Sequence, residues 1–216
     1  MNMNKNVKLS ILGSGPVGKA VGKAFARYGF EVIFHDMNRA VLKALASEGY
    51  KVSYDLEGAV RRSNISFICM SPTTITGKFD SSEVEEVYSR IIEISKEEYH
   101  LIVFKSAVSP KLMERLLARY GYRDNQNYGI CLNPEFTGSD SEEDFEKQPV
   151  VIGGFDERAS ETLAALYGEL ERRSCMNFEL FIINSLVAVA ACEYILTGYR
   201  FDLHLVSCIL HLHNFS

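Results

Sequence analysis

The sequence predicts an α/β fold, a doubly wound and mostly parallel sheet with helices on both faces. Three observations predict it. Short β-rich apolar runs alternate with longer amphipathic stretches, a glycine-rich turn joins the first such pair, and an aspartate closes the second strand. Lys8–Leu12 is a compact apolar strand that runs straight into glycines. Residues 17–28 follow at helical spacing, with Val17, Val21, Ala24 and Phe25 on one stripe. Residues 31–36 read as the second strand, 39–48 as a helix and 51–54 as a short third strand. Residues 65–70 are the fourth. The stretch 82–95 carries Val84, Val87, Ile91 and Ile94 at helical spacing and is entered through Ser81 and Ser82, hydroxyls suited to an N-cap. A fifth strand at 100–105, a helix at 111–120, a sixth strand at 128–132 and a seventh at 150–152 come next, and residues 159–170 form the last clear amphipathic helix.

After about residue 175 the texture changes. Residues 178–192 are nearly all apolar, interrupted by Glu179, Asn184 and Ser185. This predicts an α/β domain over 1–175 and an apolar helical tail over 176–216. Glu179, Asn184 and Glu193 break the run before the roughly 20 apolar residues that a membrane span needs. His211 and His213 in the tail make no metal site, because an i, i+2 pair faces opposite ways on a helix.

With 47% hydrophobic and 24% charged residues in a chain of 216, the composition is that of an ordinary globular protein. Lys+Arg is 23 against Asp+Glu 28, a net charge of -5, which argues against a nucleic-acid partner. The first six residues are polar and the apolar run after them is short, so no signal peptide is expected. The five cysteines (Cys69, Cys131, Cys175, Cys192 and Cys208) include no CxxC, the pattern of reduced thiols in a cytoplasmic protein without disulfides or zinc.

Gly13-Ser14-Gly15-Pro16-Val17-Gly18 fits G-x-G-x-x-G, and its context between strand and helix makes it a dinucleotide-binding loop of the Rossmann type. Gly13 permits the tight turn, Gly15 lets the backbone approach a pyrophosphate, and Gly18 lets the helix pack closely on the strand. The helix N-terminus then offers free N–H groups to the anion. Asp36, 18 residues beyond Gly18, is placed to accept hydrogen bonds from the adenosine ribose, and its charge repels a 2′-phosphate. NAD is therefore the expected cofactor. Arg39 has two readings, a cradle for such a phosphate or a cation lying against the adenine. His35 falls at the same adenosine end.

Further segments follow in order: 55–60 (Asp-Leu-Glu-Gly-Ala-Val), 68–73 (Ile-Cys-Met-Ser-Pro-Thr), Lys105-Ser106-Ala107-Val108, Asn133-Pro134-Glu135-Phe136, Glu143-Asp144-Phe145 and Val151-Ile152-Gly153-Gly154. Together with the glycine loop they resemble the UDP-glucose/GDP-mannose dehydrogenase family, NAD-dependent enzymes that oxidise a nucleotide sugar to its uronic acid. The resemblance covers roughly residues 7–175. It implies that Ser71, Pro72, Thr73 and Ser106 contribute to cofactor binding and that Glu135 acts in acid–base work.

The same comparison marks departures. The family's catalytic cysteine lies in a Gly-Gly-x-Cys-x-Pro-Lys-Asp segment, and the 216 residues contain none. Ala107 stands where the family's Lys-Ser-Thr-Val has a threonine, and Thr137-Gly138-Ser139-Asp140 replaces its Leu-x-Glu-Gly, leaving Asp140 as a displaced substitute. Set against the family's helical Glu-Leu-x-Lys, Glu179-Leu180-Phe181-Ile182 puts an isoleucine at the lysine. An alkyl group cannot stabilise a developing alkoxide. The expectation is an NAD-binding domain that is inactive alone and takes a UDP- or GDP-sugar only if a second domain is supplied. The alternative is a non-catalytic NAD-binding sensor or partner subunit. A one-step dehydrogenase with Glu135 or a histidine as base is a third reading. Self-association through the apolar tail is also expected.

Overall fold

In the computed structural model, residues 7–70, 80–94, 98–106, 108–120, 122, 127–134, 145, 149–175 and 178–184 are described. The elements run β1 (Lys8–Leu12), α1 (Pro16–Arg27), β2 (Glu31–His35), α2 (Arg39–Ser47), β3 (Lys51–Ser53), α3 (Leu56–Val60) and β4 (Ile65–Ile68). They continue with α4 (Ser82–Ile94), β5 (His100–Phe104), α5 (Pro110–Tyr120), β6 (Tyr128–Leu132), β7 (Val150–Gly154), α6 (Glu157–Ser174) and β8 (Leu180–Asn184). Helix starts follow local chemistry. Asn38 accepts from Ala40 N at 3.0 Å, Asp55 caps α3 through Gly58 N, and Asp156 caps α6 through Ala159 N at 2.8 Å.

One eight-stranded sheet has the order β3-β2-β1-β4-β5-β6-β7-β8. All neighbours are parallel except β6 and β7. The strand order reverses between β1 and β4, the place where such sheets bind ligands at their carboxyl ends. Alternation along the strands serves two cores. Leu101 and Val103 face α1 and α6, whereas Ile102 and Phe104 face α4 and α5.

A chain of polar side chains crosses this apolar sheet at depth. Ser66 Oγ lies 2.6 Å from Ser10 Oγ and 2.7 Å from His100 Nε2, and Ser63 Oγ lies 3.0 Å from Ser10 Oγ. Burial lowers the His100 pKa to about 4, against the opposing effect of a hydrogen bond with the Ser63 backbone. The imidazole is therefore neutral at pH 7.

Two features differ from the sequence reading. The short helix α3 lies within 55–60, where the pattern gave no element. More important, the helical tail expected from 176 does not begin as a helix: residues 180–184 form β8 and pair in full register with β7. The physical reason is alternation. Ile183 is buried and Phe181 packs on the core, while Leu180 and Ile182 are 38% and 55% exposed. A short apolar run is ambiguous by periodicity alone, and stiff β-branched residues favour the strand. Leu180 to Ile182 is thus strand rather than helix, and the correspondence of Glu179–Ile182 with a helical Glu-Leu-x-Lys, which set Ile182 at the lysine, does not hold. Residues 185–216 lie outside the described residues. No helix among the described residues is long and apolar enough to cross a membrane, and none of their His, Cys, Asp or Glu clusters could hold a metal ion.

Candidate functional site

A cleft of about 560 Å³ opens at the carboxyl ends of β1, β2 and β4, walled by the glycine turn on one side and α4 on the other. The turn is built by its glycines in three different ways. Gly13 sits at φ +90°, a left-handed conformation that L side chains rarely adopt, and its N–H donates to His35 O at 3.0 Å. A Cβ on Gly18 would fall 2.0 Å from Gly13 O, so helix and turn touch there. A Cβ on Gly15 would meet nothing within 4 Å, which leaves the backbone at the head of α1 open to an approaching group. Pro16 and Val17 open α1, where a proline at the first position forfeits no helical hydrogen bond.

Ser14 acts on the inside of the turn. It is fully buried, its Oγ donates to His35 O at 3.1 Å, and its N–H donates to Asp36 Oδ2 at 2.7 Å. The other carboxylate oxygen, Oδ1, accepts from Asn38 N at 2.7 Å. Asp36 is thus fixed by two backbone donors, half-buried on the cleft wall, with lone pairs left for a diol. His35 also lines the cleft, its ring Nδ1–H donating to Ser53 O at 3.0 Å. Arg39 starts α2 in an exposed position, and the cleft wall is made without it. Met37, 81% exposed, and Tyr54, 52% exposed, flank the opening, with Val87 and Arg90 of α4 opposite.

Farther along the sheet, Ser106 is half-buried just beyond β5, its N–H donating to Ile68 O at 3.3 Å. Lys105 is 3% exposed, its ammonium 5.5 Å from the centre of the Phe145 ring. Ser71, Pro72, Thr73, Ala107, Glu135 and Asp140 lie outside the described residues. Cys131 is buried and its thiol pKa is pushed up by desolvation, the property of a packing residue rather than a nucleophile.

Sequence reasoning assigned no part to Asn133, which the structure makes a junction. Fully buried, it donates from its backbone N to Phe104 O at 2.9 Å and from Nδ2 to Val151 O at 2.8 Å, and Oδ1 accepts from Tyr167 OH at 2.6 Å. One residue therefore ties β5, β6, β7 and α6 together where the antiparallel ladder ends. The available signal was an amide directly after the apolar β6.

The residues fit a dinucleotide: an open backbone at a helix N-terminus for the pyrophosphate, and an oriented carboxylate at the end of β2 for a ribose. Comparison with known proteins gives the same answer from other residues. Residues 39–171, which lie wholly beyond the glycine loop, match the UDP-glucose/GDP-mannose dehydrogenase family, NAD binding domain. The chain belongs to this family. Its cofactor is NAD.

Among related proteins of known name, the chain is 25% identical over 197 residues to the UDP-glucose 6-dehydrogenase AglM of Haloferax volcanii, a match covering 78% of the chain and 46% of AglM. A UDP-glucose dehydrogenase structure from Pyrobaculum islandicum superposes with a TM-score of 0.70 at 25% identity, covering 90% of this chain and 50% of that one. A GDP-mannose dehydrogenase structure from Pseudomonas aeruginosa shares the fold, with a TM-score of 0.70 at 24% identity over 88% of this chain and 49% of that one. The chain spans about half the length of these relatives.

Proposed function

We propose that these residues supply the cofactor-binding half of a nucleotide-sugar dehydrogenase, which oxidises a UDP- or GDP-sugar to its uronic acid. The observation that carries the reading is the open Gly15 backbone beside the doubly held Asp36 carboxylate at the sheet's switch point. The names of the similar dehydrogenases support the substrate class. NAD, when bound, accepts the hydride. The chain's own residues do the holding: the 13–18 turn and the head of α1 take the pyrophosphate, and Asp36 takes the ribose hydroxyls. Ser71, Pro72, Thr73 and Ser106 add contacts. Glu135, two residues beyond the Asn133 junction, acts on the substrate proton. On this reading the sugar nucleotide is held with the part of the relatives' length that the match does not cover, and residues 176–216 carry self-association. The setting is cytoplasmic, where NAD and sugar nucleotides are both available.

The test mixes the 216-residue chain with NAD and either UDP-glucose or GDP-mannose, following calorimetric binding and NADH fluorescence. The expected result is NAD binding, no NADH from the chain alone, and NADH once a sugar-binding half from a relative is added. NAD binding without NADH formation in any such mixture would contradict the assignment to oxidation.

A further inference from the structure

A second groove, of about 520 Å³, lies between the starts of α4 and α5, on the flank of α4 away from the cofactor cleft. Glu83, Glu86, Val87 and Arg90 of α4 line the cleft, whereas Ser82 and Glu85 line this groove. Its opposite wall is a stripe of cations. Lys111, Arg115 and Arg119 recur every fourth residue along α5 and so share one helix face.

The charges do not balance. Among the described residues, three cations face two carboxylates, and both carboxylates are engaged. Asp80 accepts from Ser82 N at 2.9 Å, capping α4. Glu85 serves two guanidiniums, with Oε2 3.0 Å from Arg115 and Oε1 2.8 Å from Arg119. Lys111 has no ion-pair or hydrogen-bond partner among the described residues. A plain staple between two helices needs one carboxylate and one cation; this wall has a surplus.

The arginines are also held in place. Arg115 Nη2 donates to the oxygen of Ser81, itself 7% exposed, at 2.7 Å, and the Glu85 side chain is 14% exposed. Each guanidinium has five N–H donors, and these bonds use only one side of each, so several donors stay available in a fixed orientation. The N-termini of both helices add their partial positive charge to the same groove.

We propose that this groove binds a small oligophosphate anion. The stripe from Lys111 to Arg119 spans about 12 Å of helix rise, more than one phosphate group can bridge. Long side chains converging from that span suit two linked phosphates better than one. The site is separate from the cofactor loop and takes a different ligand.

The test titrates the full chain with inorganic pyrophosphate by calorimetry, with and without saturating NAD. The expected result is saturable binding that NAD does not displace and that Gly15→Ala leaves unchanged. Orthophosphate should bind about tenfold more weakly, through loss of one charge-assisted contact. Lys111→Met and Arg119→Gln should each weaken pyrophosphate about tenfold for the same reason, whereas Lys111→Arg should keep the wild-type affinity. Lys111 is exposed and ties no element together, so its variants carry the test even if Arg119→Gln loosens α5. Displacement by NAD together with loss in Gly15→Ala would place the anion in the cofactor loop and overturn the proposal. So would an affinity unchanged in Lys111→Met, or no saturable binding at all.

Discussion

Adding one methyl group at Gly15 and at Gly18 should give opposite outcomes, although both glycines belong to one six-residue turn. At Gly15 the backbone is extended (φ -68°, ψ -167°) and a Cβ meets nothing within 4 Å. Gly15→Ala therefore adds no clash, and reduced freedom of the unfolded chain raises stability by about 0.4–1 kcal/mol. The new methyl projects into the open space that a pyrophosphate must enter. Losing one charge-assisted hydrogen bond there costs about 1.5–3 kcal/mol, a weakening of NAD binding of roughly 10- to 100-fold. At Gly18 the Cβ would lie 2.0 Å from Gly13 O and 3.1 Å from Ile11 Cγ2. The first of these is backbone and cannot swing aside, so α1 must move off β1 at a cost of about 1–3 kcal/mol. For a domain of this size that is a fall in Tm of roughly 2–12 °C. Thermal melting and NAD calorimetry on both variants make the comparison. Gly15→Ala binding NAD as the wild type does, or Gly18→Ala melting with the wild type, would refute the roles given to the two positions.

Two further outcomes follow from the buried polar groups. His100 is held neutral, with its pKa lowered from 6.5 to about 4 by burial, so between those values the unfolded chain binds more protons than the folded one. Its contribution is complete above pH 6.5 and is lost as the pH falls towards 4, up to about 3 kcal/mol. Urea unfolding across that window should therefore show a shallower pH dependence for His100→Gln than for the wild type, and equal slopes would remove His100 as the cause. Asn133→Ala removes the hydrogen bonds to Tyr167 OH and to Val151 O, and should cost about 2–4 kcal/mol, whereas Tyr167→Phe removes only the first and should cost about 1–2. In the double variant the two costs should not add, and additive values would show that the pair does not act as a unit.

Much of this was legible in the sequence for identifiable reasons. Lys8–Leu12, the glycine turn and Asp36 carry local signals, since turn conformation and strand ends are dictated by neighbours, and the structure brings Gly13, Gly15 and Asp36 to one cleft. β8 was not legible, because Phe181, Ile182 and Ile183 show their alternation only once β7 gives them a face to pair with. Asn133 was quoted within a motif without a role, since its partners Val151 and Tyr167 are 18 and 34 residues away. Met37 and Tyr54 reach the cleft from the loops after β2 and β3 and Arg90 from α4, and no single window of sequence joins them. Ser14 was legible in part. The loop motif gives its position, but the sequence does not show that its buried hydroxyl and N–H hold His35 and Asp36.

We propose that the cleft takes NAD and that its selectivity resides in Asp36. The most direct test is calorimetric titration of the purified chain with NAD and, in parallel, with NADP. Held by Ser14 N and Asn38 N, the carboxylate cannot swing away from a 2′-phosphate, so NAD should bind and NADP should bind at least about tenfold more weakly. Equal affinities for the two cofactors, or no binding of NAD, would contradict it.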